Sequence, residues 1–392
     1  LLRENSKEMK KILKLSGSFI IGAGIGAIGV CAGTYIATGM SFDTFGEKFA
    51  ALNVLQVAGI TGMTVAFIFL SAFLQIILHE GGHLVCGLAT GYRFVSFRIL
   101  SLTFIRQNGK LRIKHFSLAG TGGQCLLTPP DKPLQDIPYT LYSLGGVFAN
   151  LLTAAIAIIL LLTVDGMPYP LRMFLFLFAL IGIISGLMNG IPMRIGGVGN
   201  DADNMRLLLK DERSKQAMVI QLRVNALVQE GMRLKDMPEE WFKQEYDIDY
   251  KNALQVTIRL MYINRLQDKQ EWWAAYNALV EMITHKDEII GLFVKEIECE
   301  LVFTGLVIAE FEWVNKLYTK ELSDYILQYR NVTSSKQRIL CILALHHGSA
   351  EIEKAKEIYE TVCRRKDKYL MQGEVNSDIA IMKAILTEEG VL

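Results

Sequence analysis

Phe73-Leu74-Gln75-Ile76-Ile77-Leu78 leads directly into His79-Glu80-Gly81-Gly82-His83, at the end of a run from 49 to 78 that contains no Asp, Glu, Lys or Arg. A run of this length can cross a bilayer, which needs about 20 apolar residues in a helix. Three more uncharged runs cover residues 15 to 42, 137 to 164 and 173 to 193. The sequence therefore predicts an all-α membrane core of about four transmembrane helices.

The composition narrows the function classes. Of the 392 residues, 51% are hydrophobic and 21% are charged, which excludes a disordered chain. The net charge of +1 gives no basic excess of the kind that marks a nucleic-acid binder. The six cysteines form no C-x-x-C pair, so no disulfide framework is expected. The first uncharged run is too long for the apolar part of a signal peptide and is interpreted as a retained membrane anchor.

The distribution of Lys and Arg predicts the orientation in the plasma membrane, because cytoplasmic loops retain these residues. The segment before the first run carries five of them, whereas the connection to the second run carries only Lys48. The loop from 92 to 138 is again basic, and the connection from 165 to 170 has no basic residue. We expect a multi-pass protein with both termini in the cytoplasm.

The loop from 92 to 138 predicts a cytoplasmic, membrane-associated β-hairpin. Alternating residues flank Gln107-Asn108-Gly109-Lys110, and Asn-Gly is a strong signal for a two-residue hairpin turn. The glycines at 120, 122 and 123 are expected to break the pattern. The hairpin edge is a candidate site at which an extended substrate adds a strand, and a plain hairpin on lipid headgroups is the alternative.

Beyond residue 204 the composition becomes that of a soluble, cytosolic all-helical domain. Paired helices there resemble tetratricopeptide repeats, and an irregular helical array is the alternative. The predicted domains are 1–53 (basic segment and first transmembrane helix), 54–204 (membrane core with the hairpin loop) and 205–392 (helical domain). The predicted helices cover 213–232, 249–264, 270–284, 287–303, 306–329, 335–347, 350–364 and 374–388.

The segment from His79 to His83 has the H-E-x-x-H pattern of a zinc site. Residues i and i+4 share one face of a helix, so both imidazoles can bind one Zn²⁺ while Glu80 stands beside the metal as a general base. A polar helix end at the membrane interface is the alternative, although two His and one Glu next to an uncharged run are costly without a partner.

Three features follow the metal motif in order: the β-rich loop, then Gly145-Gly146-Val147-Phe148-Ala149-Asn150, and then Asn189-Gly190-Ile191-Pro192 followed by Asn200-Asp201. With these motifs in this order, residues from about 55 to 205 resemble the site-2 protease family of intramembrane zinc metalloproteases. The resemblance implies that Asp201 is the third zinc ligand and that Asn150 contributes to catalysis, or else bonds a neighbouring helix. Asp201 is followed by Ala202 where the family has Gly, so Asp203 is a rival ligand; a helix N-cap is the alternative for either.

The leading functional hypothesis is a bacterial zinc endopeptidase that hydrolyses a transmembrane or signal-peptide-like segment near the cytoplasmic face. Its expected partners are the bilayer, a membrane-embedded substrate, and a protein bound by the helical domain. A catalytically silent membrane scaffold that binds a partner through this domain is the alternative. A metal-binding transporter is less favoured because four spans without an internal repeat make a poor alternating-access frame.

Overall fold

The computed structural model describes residues 42–107, 109–115, 122–195, 197–243, 247–346 and 351–392. The predicted anchor within 15 to 42 and the basic segment before it lie outside this part of the chain, except for the last residue of that run, Phe42. The turn residue Asn108 also lies outside it.

The described chain is mostly helical, with two small antiparallel sheets. Its α-helices are α1 (Phe42–Ala50), α2 (Val54–Ala89), α3 (Tyr139–Thr163), α4 (Tyr169–Gly190), α5 (Asp201–Lys210), α6 (Glu212–Glu230), α7 (Ala253–Asp268), α8 (Trp272–Thr284), α9 (Gly291–Val307), α10 (Phe311–Leu317), α11 (Lys320–Tyr329), α12 (Ser334–His346), α13 (Ile352–Arg365) and α14 (Gln372–Glu388). Its strands are β1 (Arg93–Ile99), β2 (Leu102–Gln107), β3 (Lys110–His115), β4 (Gly123–Thr128), β5 (Arg194–Ile195) and β6 (Val198–Gly199).

Three helical segments in the described chain are long and apolar enough to cross a membrane: α2, Leu134–Thr163 (which includes α3) and α4. They coincide with three of the predicted spans. The helix α2 differs from the prediction in length, because it continues through the H-E-G-G-H segment to Ala89. Its 36 residues measure about 54 Å, which is well over the ~30 Å hydrocarbon core. Because the helix continues past His83 to Ala89, the motif lies inside the helix and not at its end.

The loop after α2 forms a four-stranded antiparallel sheet in the order β3-β2-β1-β4. The predicted hairpin is present as β2 and β3, since Gln107 pairs with Lys110 and Gly109 adopts a positive φ of 74°. The prediction of one hairpin was incomplete, because β1 and β4 pair as well. The predicted break at Gly123 is in fact the start of β4, a buried strand whose apolar run shows no alternation in the sequence.

Beyond residue 204 the described chain contains only α-helices and short 3-10 turns, as predicted. One predicted helix, 306–329, is two helices, because the chain leaves the helical conformation at Tyr318 and Thr319 caps the next helix through a bond from the Leu322 amide. Near the start of this region, the helix α6 packs against the four-stranded sheet through Val219, Leu222 and Ala226. The tetratricopeptide character of the domain stays a prediction.

The described residues form two compact units. The first comprises the residues up to His79 together with Val147–Leu187, and small residues (Ala154, Ala157 and Ala179) form its core. The second comprises Glu80–Gly146 and Met188–Leu392, and it contains the sheet, α5 and the helical domain. The helices α2, α3 and α4 each contain residues of both units.

Candidate metal centre

The structure brings together three of the residues singled out in the sequence. His79 and His83 are one turn apart on α2, and Asp201 is the first residue of α5. One ligand atom from each of the three lies within 4.8 Å of the others, and Nε2 of His83 is 3.4 Å from Oδ2 of Asp201. The side chains of His83 and Asp201 are 12% and 23% exposed. These two side chains are therefore mostly buried, and a small part of the surface of each is accessible.

His83 is oriented by the backbone of α3. Its Nδ1 lies 2.7 Å from the carbonyl oxygen of Tyr142. A carbonyl oxygen can only accept, so Nδ1 carries a proton, and the lone pair of the neutral ring then lies on Nε2. Metal-binding histidines are typically held in this way, with the second nitrogen donating to a carbonyl or carboxylate.

His79 is oriented by Asn150, whose side chain is fully buried. Nδ1 of His79 lies 2.7 Å from Oδ1 of Asn150. The Nδ2 group of Asn150 donates to the backbone carbonyl and to Oε1 of Gln75, at 2.9 and 2.7 Å. Both amide hydrogens of Asn150 are therefore bonded to oxygen atoms of Gln75. The Oδ1 atom of Asn150 can only accept, so Nδ1 of His79 carries a proton and donates to it.

Asp201 is placed by its neighbour Asn200, the N-cap of α5. The Oδ1 atom of Asn200 accepts from the amide of Asp203 at 2.9 Å. Its Nδ2 group donates to the carbonyl oxygens of Met188 and Ile191, at 2.5 and 2.6 Å. The first turn of α5 is thus tied to the end of α4. The short β5–β6 ladder brings the chain back to this point, and Gly197, between the two strands, has a φ of 87°.

Asp203, the rival ligand, has other partners. It is 2% exposed, and its carboxylate accepts from Arg194 Nε and from Arg206 Nη2, both at 2.6 Å. Burial acts to raise the pKa of Asp203, but the two arginines outweigh it and lower that pKa. The interpretation of Asp203 as a helix cap was wrong, because α5 begins at Asp201 and Asn200 caps it.

Glu80 lies against the first residue of β4. A methyl group added to Gly123 would come within 2.7 Å of Oε1 of Glu80, so any other residue at this position would require Glu80 to shift. Arg98, 2% exposed on β1, donates to the carbonyl oxygens of Leu100 and Gly123 at 2.9 and 3.2 Å. Burial lowers the pKa of Arg98, and the charge of Glu80 opposes that effect. A buried cation thus accompanies the glutamate.

The donor set suits a zinc ion. Zn²⁺ takes His nitrogen at about 2.0–2.1 Å and carboxylate oxygen at about 2.0–2.2 Å in a tetrahedron, which places two ligand atoms about 3.3–3.5 Å apart. The His83–Asp201 separation of 3.4 Å matches this edge. Two imidazoles and one carboxylate would leave a fourth position open on the metal, as in catalytic sites.

Three supporting residues escaped the sequence reasoning. Gln75 had a signal, since it is a polar residue in an uncharged run, one turn before His79. Arg98 had none, because alternation in a strand does not tell which face of the strand meets α2. Asn200 precedes the predicted ligand Asp201 in the sequence, but its role as an N-cap depends on where α5 begins, which the sequence pattern does not show.

No protein-family model, curated protein or solved structure matches this chain. The function is therefore inferred from the geometry of the described residues.

Proposed function

We propose that the protein is an intramembrane zinc endopeptidase of the site-2 protease type, which hydrolyses a peptide bond in a transmembrane or signal-peptide-like segment. We place it in the plasma membrane with both termini in the cytoplasm and the active site near the cytoplasmic face. The helical domain would bind a protein partner. The three membrane-length helices are consistent with this setting.

One observation carries the proposal. His79 and His83 each have an acceptor at Nδ1, so that each neutral ring would offer a metal the lone pair of Nε2, and the Asp201 carboxylate stands beside them. An ordinary ion pair between His83 and Asp201 would not require His79 to be held in the same tautomer. The pattern is the one expected of ligands that were oriented for a cation.

The chemistry follows from the positions of the side chains. When bound, zinc supplies an activated water and polarises the scissile carbonyl. Glu80, adjacent to His79, accepts the proton from the attacking water and returns it to the leaving amine as the C–N bond breaks. Asn150 acts through His79 as a positioning residue, because its amide hydrogens are already bound to Gln75.

The substrate would bind in an extended form along the sheet. The edge suggested by the hairpin is β3, but three strand spacings of about 4.8 Å, or roughly 14 Å, separate β3 from β4. Glu80 lies against Gly123 at the start of β4, which is the opposite edge strand. We therefore place the substrate strand along β4.

The test is zinc content and proteolysis of purified wild type and Glu80→Gln in detergent or vesicles. Wild type should hold about one zinc per chain and cleave a membrane peptide. Glu80→Gln should keep the metal and lose cleavage, since it removes the proton acceptor and no ligand. A Glu80→Gln protein as active as wild type would show that Glu80 is not the base.

The scaffold hypothesis makes the opposite prediction. A catalytically silent membrane scaffold would bind a partner through the helical domain with equal affinity in wild type and Glu80→Gln, and neither would cleave. The close fit of Glu80 against Gly123 and the nearby Arg98 favour the enzyme, because a scaffold has no need of a charged glutamate at this position.

A further inference from the structure

Gln75 is a buried polar residue whose amide joins three membrane-length helices. It lies one turn before His79 on α2 and is 1% exposed. Its Nε2 donates to the carbonyl oxygen of Phe178 on α4 at 3.1 Å, and its Oε1 accepts from Nδ2 of Asn150 on α3 at 2.7 Å. An amide in an apolar interior is costly unless it is hydrogen-bonded, and here both ends of the amide are bonded.

The direction of these bonds fixes the proton on His79. The carbonyl of Phe178 can only accept, so the Gln75 amide must turn its NH₂ group to α4 and its oxygen to Asn150. Asn150 must then turn its own NH₂ group to Gln75, which the bond to the Gln75 backbone carbonyl also requires. The oxygen of Asn150 consequently faces His79, and Nδ1 of that histidine carries the proton.

A glycine on α4 makes room for this arrangement. A methyl group added to Gly182 would lie 2.5 Å from Nε2 and 3.0 Å from Cδ of Gln75. Gly186, one turn later on the same helix, is crowded to a similar degree, but by the side chain of Leu151 at 2.6 Å. The two glycines therefore offer matched substitutions, of which one disturbs Gln75.

We propose that Gln75 is a positioning residue of the metal centre: with Asn150 it holds the His79 proton on Nδ1, so that the lone pair a divalent cation would bind lies on Nε2. The proposal rests on the metal-binding part of the proposed function and does not depend on proteolysis. Gln75 touches neither the metal nor the substrate, and it acts through Asn150 and His79.

The experiment uses the full chain in detergent and measures two quantities. The first is the affinity for Zn²⁺ and Co²⁺, which should fall about 10- to 100-fold in Gln75→Leu, the usual effect of removing a group that orients a ligand. The second is the ¹⁵N spectrum of the metal-free histidines, with His79 assigned through His79→Ala. In Gln75→Leu the His79 signal should shift towards the Nε2-protonated form.

Gly182→Ala should weaken metal binding in the same direction, whereas Gly186→Ala should stay within about twofold of wild type, because it leaves the bonds of Gln75 in place. Gly182→Ala also keeps the proposal testable if Gln75→Leu does not fold. A pure packing role for Gln75 predicts lower thermal stability with unchanged tautomer and affinity.

Wild-type affinity and tautomer in both Gln75→Leu and Gly182→Ala would overturn the assignment. Wild-type protein that binds zinc but cleaves nothing would overturn the protease proposal and leave the role of Gln75 intact. Wild-type protein that binds no zinc would overturn the metal centre, and the role of Gln75 with it.

Discussion

The carbonyl oxygen of Tyr142 lies 2.7 Å from Nδ1 of His83, so one histidine of the candidate metal centre is oriented by backbone, whereas the other is oriented by the Asn150 side chain. The two supports respond differently to mutation. Substitution of a side chain can remove the support of His79 but not that of His83.

The first prediction contrasts Tyr142→Phe with Asn150→Leu. Tyr142→Phe removes a hydroxyl that donates to the Cys125 carbonyl at 2.9 Å, which should cost about 1–3 kcal/mol of stability. It should leave zinc affinity unchanged, because the carbonyl remains. Asn150→Leu should weaken zinc binding about 10- to 100-fold. Chelator competition measures both, and equal zinc affinity in the two variants would contradict the assignment.

The second prediction concerns the third ligand. Asp201→Asn should lower zinc affinity by more than the 10- to 100-fold typical of an orienting residue, since it removes a ligand and its negative charge. Asp203→Asn should instead cost about 1.5–3 kcal/mol of stability, because the buried carboxylate bonds two arginines. Its folded fraction should keep zinc. Loss of metal from Asp203→Asn with retention by Asp201→Asn would reverse the assignment.

The third prediction locates the substrate strand. A photo-crosslinking residue at Gln124, exposed on β4, should react with a bound substrate peptide in the Glu80→Gln background. The same residue at Leu111, 65% exposed on β3, is the matched control and should not react. Crosslinks at 111 and none at 124 would place the substrate on the hairpin edge instead.

Much of the fold could be predicted because it depends on local patterns. The three uncharged runs in the described part of the chain correspond to membrane-length helices, since hydrocarbon excludes charge whatever the helix packs against. The Asn-Gly turn and the helices of the C-terminal domain follow from turn chemistry and from periodicity. Strand β4 could not be predicted, because its burial comes from α6, nearly 100 residues later.

The candidate site likewise contains residues that a local pattern predicts and residues whose position depends on contacts between distant parts of the chain. His79, Glu80 and His83 lie within one turn and were visible as a motif. The choice between Asp201 and Asp203 depends on where α5 starts, and Asn200 fixes that start through bonds to carbonyls at the end of α4. Such bonds join residues about ten apart through irregular backbone, for which no periodic pattern exists.

The fourth prediction concerns the orientation in the membrane. In a chain without its native cysteines, a new cysteine at Asp43 or Gly166 should react with an impermeant reagent added to intact cells. A cysteine at Gly109, or in the helical domain at the exposed Trp273, should react only after lysis. Labelling of Gly109 in intact cells would place the sheet and Glu80 on the outer face.

The last prediction concerns Asp211, which ends α5 and caps α6. Its carboxylate accepts from the amides of Arg213 and Ser214, at 3.2 and 3.1 Å, and from the buried side chains of Asn252 and Gln255, at 3.3 and 3.2 Å. Asp211→Ala should therefore lower the free energy of unfolding by about 1–3 kcal/mol, compared with the ~1 kcal/mol that is typical for loss of an ordinary cap. All four tryptophans lie beyond residue 240, so tryptophan fluorescence during urea unfolding reports on this domain.

The pH dependence of this effect has a definite sign. Burial acts to raise the pKa of Asp211, but the hydrogen bonds from Ser214, Arg213 and Gln255 outweigh it and lower that pKa. The stabilisation is then fully present above the unfolded value of about 3.9 and is lost as the pH falls through the lower folded value. The difference between wild type and Asp211→Ala should shrink accordingly below pH ~4. Asp211→Asn caps without titrating, so it should not acquire this dependence, and a constant difference between wild type and Asp211→Ala would show that the carboxylate charge contributes nothing.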